Sequence, residues 1–131
     1  MECVFCKIIN KEIPAYIVYE DDVAIAFLDI NPVSEGHLLV VPKKHVSRLT
    51  ELSEEEAAEF IKRVQKIAKL VEDKLSKDYN IIINQGEKAG QVIQHLHVHI
   101  IPRYGKEQLF LWVTHKLTEE EAKRVLEKLK L

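Results

Sequence analysis

Three histidines alternate near the C-terminal third of the chain, His95-Leu96-His97-Val98-His99, followed by Ile100-Ile101-Pro102. Half of the six histidines in 131 residues thus fall within five positions. On a strand, side chains two apart share a face. The imidazoles would stand roughly 7 Å apart on one surface, with Leu96, Val98 and Ile100 turned into a core. An imidazole can take a proton, attack phosphorus or hold a metal. Surface decoration and a three-histidine metal site compete with a catalytic reading. The metal reading is the awkward one, because three ligands in a straight row do not converge easily on one ion. The chemical reading is nucleophilic catalysis at phosphorus. A neutral imidazole attacks and forms a phospho-histidine, splitting one hard displacement into two. Its other ring nitrogen must donate to an acceptor that fixes the tautomer. Donors must also cover the non-bridging oxygens, and Asn84, the Gly90-Gln91 backbone and a neighbouring histidine are placed in sequence to supply them.

The two cysteines form a Cys3-x-x-Cys6 pair. In a reducing compartment a structural disulfide is not expected, which leaves a redox pair or half of a zinc site. No apolar run reaches membrane-spanning length, and Glu2, Cys3 and Lys7 interrupt any signal-like start, so a cytoplasmic protein is expected, with no membrane partner. A net charge of −2 gives no support for nucleic-acid binding, while a small anionic ligand needs only local donors. Lysine and glutamate dominate the charged residues, a weak thermophilic signature.

The elements that position these groups read as follows. Phe5 to Ile9 forms a helical turn broken at Ile13-Pro14. Residues 17–19 and 23–30 form two strands around a Glu20-Asp21-Asp22 turn. Residues 31–36 form a loop with strong breakers, and 37–41 a third strand stopped by Pro42. Ser53-Glu54-Glu55-Glu56 is a capping box. Behind it Ala57, Phe60, Ile61, Val64, Ile67, Ala68, Val71 and Leu75 recur at spacings of three and four, giving one long helix over 53–77. A strand over 79–84 leads through a polar, two-glycine loop, 85–91, into the histidine strand, 94–102. Leu109 to Val113 is a further apolar run holding the only tryptophan, Trp112. A second capping box, Thr118-x-x-Glu121, opens a helix with Ala122, Val125, Leu126 and Leu129 on one face. Strand pairs joined by short turns, with segregated helices, predict one α+β domain over 1–131 on an antiparallel sheet. Such a sheet has open edges, so dimerisation through an edge or the long helix is expected.

The stretch His95 to Ile101 resembles the signature of the histidine triad nucleotide-binding family, in its Hint-like branch. Phe5-Cys6-Lys7-Ile8-Ile9, Ile13-Pro14, Tyr19 to Asp22, Phe27 to Ile30, Gly36 to His45 and Asn84-Gln85-Gly86 support the likeness, which runs from about 3 to 103. Residues 104–131 lie beyond the shared motifs. The resemblance implies a five-stranded antiparallel sheet with two main helices, and a homodimer whose sheets join into a larger one. It implies His97 as nucleophile on the α-phosphate of a purine nucleotide of the AMP or GMP type, His99 on the phosphate, and His95 orienting His97 through its backbone carbonyl. Gln91 and Asn84, beside Gly90, match positions on the phosphate oxygens. Asp29 matches the acceptor for the ribose hydroxyls, a role a carboxylate suits because it accepts twice. Phe5, Ile8, Ile13, Phe27, Ile30 and Leu39 match an apolar pocket around the base, and His37 a fourth histidine packed on the triad.

The resemblance also implies a structural zinc held by Cys3, Cys6, His45 and His95, of the form found in the related galactose-1-phosphate uridylyltransferases, and no organic cofactor. Such a site would tie the N-terminus to the histidine strand. His115 belongs to no constellation. One residue departs from the Hint-like pattern. The position after the glutamine is usually serine or threonine, and here it is Val92, which cannot donate a proton. The implied function is hydrolysis at the α-phosphate of nucleoside phosphoramidates through a nucleotidyl-histidine. The alternatives are a dinucleoside polyphosphate hydrolase and a nucleotide-binding protein with little catalysis.

Overall fold

The structure, a computed structural model, describes residues 3–110 and 112–130. Glu2, one of the residues read against a signal sequence, and Leu111, in the middle of the 109–113 run, lie outside the described residues. The elements in chain order are helix α1 (Val4–Ile9), strands β1 (Ile17–Glu20), β2 (Ala24–Leu28) and β3 (Leu38–Pro42), helix α2 (Glu54–Lys74), strands β4 (Tyr79–Ile83) and β5 (Val98–Pro102), and helix α3 (Glu119–Lys128). The five strands form one sheet in the order β1-β2-β3-β5-β4, with every neighbouring pair antiparallel. This is the expected α+β class, with a third helix in α1. No described helix is long and apolar enough to cross a membrane.

β2 and β3 read as nearly continuous apolar runs because both faces of the sheet are covered there. On one face Phe60, Val64, Ile67 and Val71 of α2 pack on Ala24, Ala26, Val40, Leu96, Val98 and Ile100. On the other, Phe5 and Ile8 of α1 pack on Ile25, Phe27, Leu39 and Val41. α2 begins as its sequence dictates: the Ser53 hydroxyl accepts from the Glu56 N–H, and the Glu56 carboxylate accepts from the Ser53 N–H. The β1–β2 turn is pinned by Asp21, which accepts from the N–H groups of Val23 and Ala24, from Tyr19 Oη, and from Arg63 Nε on α2.

The histidine strand is shorter than its alternation predicts. β5 begins at Val98, so His95 and His97 precede the ladder and only His99 lies within it. Pro42 ends the neighbouring β3 and has no N–H to continue the pairing, and the Leu96 N–H donates to the Val46 carbonyl instead, at 2.7 Å. The backbone stays extended enough for the inward alternation to hold, and Leu96, Val98 and Ile100 are fully buried.

The C-terminal run differs more. Its described residues, Leu109, Phe110, Trp112 and Val113, form no strand and are exposed. α3 starts at the expected Thr118 cap, whose hydroxyl accepts from the Glu121 N–H at 3.2 Å. The reciprocal half of that capping box is missing, because the Glu121 carboxylate is taken by His115 at 3.0 Å. No residue of α3 is buried.

Candidate active site

The site is assembled where β5, the loop after β4 and α1 meet. His97 is buried, and its Nδ1 lies 2.7 Å from the carbonyl of His95. A carbonyl only accepts, so Nδ1 carries the proton and the lone pair sits on Nε2. The ring is held edge-on by Phe5, centroids 5.0 Å apart, and by His99 at 5.1 Å. The imidazoles of His97 and His99 are therefore closer than an ideal strand spacing would place them.

A second chain of hydrogen bonds fixes His99. The Val33 N–H donates to His37 Nδ1 at 3.0 Å, which leaves the proton of a neutral His37 on Nε2. That nitrogen lies 3.0 Å from His99 Nδ1 and 3.5 Å from Asp29 Oδ2. His99 Nδ1 is then an acceptor, and its own proton sits on Nε2. Burial, with His97 and His37 alongside, holds His99 down at about 4. Burial also lowers His37, against the opposing pull of Asp29. His97 thus turns a lone pair and His99 an N–H outward.

Both line a cavity of about 880 Å³, a size suited to a small-molecule ligand. Asn84, Gly90, Asp29 and Ile30 line it as well, with Phe5, Ile8, Ile13, Phe27 and Leu39. Every residue expected around the base is thus brought to one cavity. Gly90 takes a φ of +94°, a conformation that favours glycine and lets the loop turn beside Asn84. Val92 lines the same cavity and is highly exposed. The sequence reading missed Val4, Asn31, Tyr16 and Ile93, which also line it. It missed as well the backbone of Val33, whose N–H sets the tautomer of His37. The adjacency of Val4 to Phe5 and of Asn31 to Ile30 was the available signal for two of them.

Two residues named with the site lie off this cavity. Gln91 is buried outside the cavity lining. Its Oε1 accepts from the Gly86 N–H, and its Nε2 donates to the carbonyls of Ser47 and Ile93. Its amide braces the loop that carries Gly90, and the side chain does not reach the cavity in this structure. His95 is fully buried and also lies off the cavity, touching the chemistry only through its carbonyl.

The His95 ring faces the other way. Its Nε2–H donates to the Pro42 carbonyl at 2.8 Å, which leaves the Nδ1 lone pair toward Cys3 Sγ at 3.4 Å and Cys6 Sγ at 3.6 Å. His45 Nδ1 stands 3.1 Å from Cys6 Sγ. The four donor atoms lie within 4.8 Å of one another. Tetrahedral zinc with two thiolates and two imidazoles has sulfur–nitrogen edges of about 3.5 Å, so the donor set and spacing fit a zinc ion. Burial and the neighbouring Cys3 push the Cys6 thiol up to about 11, and a dication is what would let both sulfurs ionise together. The Asp29, His37 and His99 cluster is also compact, but His37 Nδ1 is already taken by Val33 and its Nε2 carries the proton, so those residues form a hydrogen-bonded relay.

The chain is similar to known proteins over the same segments. Residues 10–106 match the family model described as the HIT domain. The chain is 54% identical to an uncharacterised HIT-like protein of Methanocaldococcus jannaschii over 102 residues, 78% of this chain and 79% of that one. It is 37% identical over 131 residues to an adenosine 5'-monophosphoramidase of Schizosaccharomyces pombe, covering 98% of this chain and 96% of the relative. The crystal structure of a HIT family member from Bacillus subtilis superposes with a TM-score of 0.89 and 41% identity, over 98% of this chain and 94% of that one. With the paired histidines facing one cavity and the sheet order that presents them, these likenesses place the chain in the histidine triad family.

Proposed function

We propose that the chain is a nucleotide hydrolase that binds a purine nucleoside monophosphate group in the cavity and cleaves at its α-phosphate. The observation that carries this reading is the 2.7 Å bond from His97 Nδ1 to the His95 carbonyl, which leaves Nε2 as a free nucleophile. Nε2 attacks the α-phosphorus, the leaving group departs, and a nucleotidyl-His97 forms. Water then attacks that phosphorus and restores the imidazole. The carbonyl of His95 stabilises the positive charge that the ring carries in the intermediate. The Nε2–H of His99 and the amide of Asn84 donate to the non-bridging oxygens. Asp29 accepts from the ribose hydroxyls, and Phe5, Ile8, Phe27 and Leu39 enclose the base. Val92 supplies no proton to the leaving group, which leaves water, the His99 Nε2–H or the substrate itself as its source. Nucleoside phosphoramidates are the substrate class, as the kinship with a monophosphoramidase favours.

A dinucleoside polyphosphate hydrolase is the second enzymatic reading. Among the described residues no lysine or arginine lines the cavity, and Lys43 and Lys44 are paired with Glu20 and Glu56, so a polyphosphate leaving group would find little counter-charge. Val92 keeps open a third reading, nucleotide binding with little turnover. Parallel incubations with an adenosine phosphoramidate and with diadenosine polyphosphates, followed by rapid quench and mass spectrometry, test all three, the relative turnover separating the two enzymatic readings. An AMP-sized adduct on His97 supports the mechanism, and full turnover by His97→Ala sinks it. Tight AMP binding without turnover favours the third reading.

The zinc ion, held by Cys3, Cys6, His45 and His95, is structural in this reading. It would fix the His95 ring and so the carbonyl that orients His97. The protein acts as a homodimer joined along β4, the open edge beside the site strand.

A further inference from the structure

α1 belongs to two sites at once. Val4, Phe5 and Ile8 line the cavity, and Phe5 stands edge-on to both His97 at 5.0 Å and Phe27 at 5.6 Å. The sulfurs that flank Phe5, on Cys3 and Cys6, face His45 and His95, which come from two other parts of the chain. A six-residue helix has almost no stability of its own. Its main-chain bonds, Lys7 N–H to the Cys3 carbonyl and Asn10 N–H to the Cys6 carbonyl, run within the turn. The cavity wall is therefore tied to the sheet by the buried side chains of Phe5 and Ile8 and by the sulfur–imidazole cluster.

We propose that the Cys3–Cys6 pair is an oxidation-sensitive latch on the nucleotide cavity. The proposal rests on that cavity being the nucleotide site. A hydroperoxide oxidises the two thiols to a disulfide: each sulfur gives up one electron and one proton, a sulfur–sulfur bond forms, the peroxide oxygen–oxygen bond breaks, and two hydroxyl products leave as water or water and alcohol. From the metal-bound state the same two electrons come from the thiolates, the protons come from solvent, and the zinc ion departs. Both cysteines are partly exposed, so the oxidant can reach them. Their sulfurs already lie within 4.8 Å of each other, and the residues sit on one turn. The disulfide thus joins α1 only to itself, whereas the reduced cluster joins it to His45 and His95. Oxidation removes the cluster's tie and loosens the wall carrying Phe5 and Ile8, while the sheet, whose opposite face is packed by α2, stays folded.

The test uses zinc-loaded full-length protein before and after a small excess of hydrogen peroxide. Zinc release, loss of both thiols, hydrogen exchange over 4–9 and AMP affinity by equilibrium dialysis are measured, with circular dichroism as the check on the sheet. The expected result is coupled loss of zinc and thiols, faster exchange in α1 and AMP binding weakened about tenfold or more, comparable to losing an aromatic wall contact, all reversed by dithiothreitol with zinc. Cys6→His keeps four ligands but only one thiol, and its AMP binding and α1 protection should survive peroxide. The latch is overturned if oxidised protein keeps a protected α1 and binds AMP as before, or if Cys6→His responds to peroxide as the parent does. A protein that binds no AMP before treatment refutes the nucleotide reading instead, and exchange of α1 alone then decides the latch.

Discussion

His97 and His99 differ through the partners of their other nitrogens. A carbonyl holds the His97 proton on Nδ1, while His37, itself fixed by the Val33 N–H, holds the His99 proton on Nε2. Replacing His37 with phenylalanine keeps a ring in the space and deletes the donor. Turnover of an adenosine phosphoramidate should then fall about tenfold or more through loss of orientation, and an unchanged kcat would remove His37 from the mechanism. The His99 shift also has a stability consequence. Its folded value is about 4 against an ordinary 6.5, so between those limits the unfolded chain binds more protons than the folded one. Stability must therefore fall as pH drops from about 6.5 toward 4. Urea midpoints at pH 7, 6 and 5 should show this, with a flatter trend in His99→Gln. An equally steep trend in that variant would assign the effect to other groups. The triad was legible from its residue type and alternation, and Asp29 and the apolar pocket through the family resemblance. Gln91 was not, because whether an amide faces the ligand or braces its own loop depends on carbonyls at Ser47 and Ile93 that only the folded loop brings near it.

Element boundaries show the same division between local and non-local causes. α2 was readable to within a few residues from its cap and periodicity, both local. β5 was not, because its start is set by Pro42, which lies on a different strand and offers no donor. The β1–β2 turn is local in sequence yet anchored to α2 by the bond from Arg63 to Asp21, 2.8 Å long. Burial raises the Asp21 carboxyl, but the donors from Tyr19, Ala24, Arg63 and Val23 outweigh it and hold the group well below the usual carboxylate range. Such a group stabilises the fold at neutral pH, and the contribution fades as pH falls below its unfolded value of 3.8. Asp21→Ala leaves several donors unpaired and should cost about 2–3 kcal/mol at pH 7. Chemical denaturation measures it, and a loss near zero would mean that the turn and α2 hold together without this anchor.

At the scale of the whole molecule, apolar surface is left over. Ile81 on the edge strand β4 is 48% exposed. Leu109, Trp112 and Val113 are exposed, and so are Val125, Leu126 and Leu129 along the unburied face of α3. A ten-residue helix with no packed face is marginal in water, and together these residues make more apolar surface than isolated exposures account for. The apolar run at 109–113 stands out in the sequence for the same reason: sequence reports that a residue wants cover, but not which molecule supplies it. A second copy meets the requirement with the fewest assumptions, because an open antiparallel edge pairs with itself about a two-fold axis. In that arrangement Ile81, at the centre of β4, lies opposite its own counterpart. Light scattering should then give twice the chain mass, and the melting temperature should rise with protein concentration. Ile81→Lys places two like charges across the axis and should yield a monomer that melts at a lower, concentration-independent temperature. A parent protein that is monomeric at every concentration tested, or an Ile81→Lys variant as dimeric as its parent, would rule out pairing through β4.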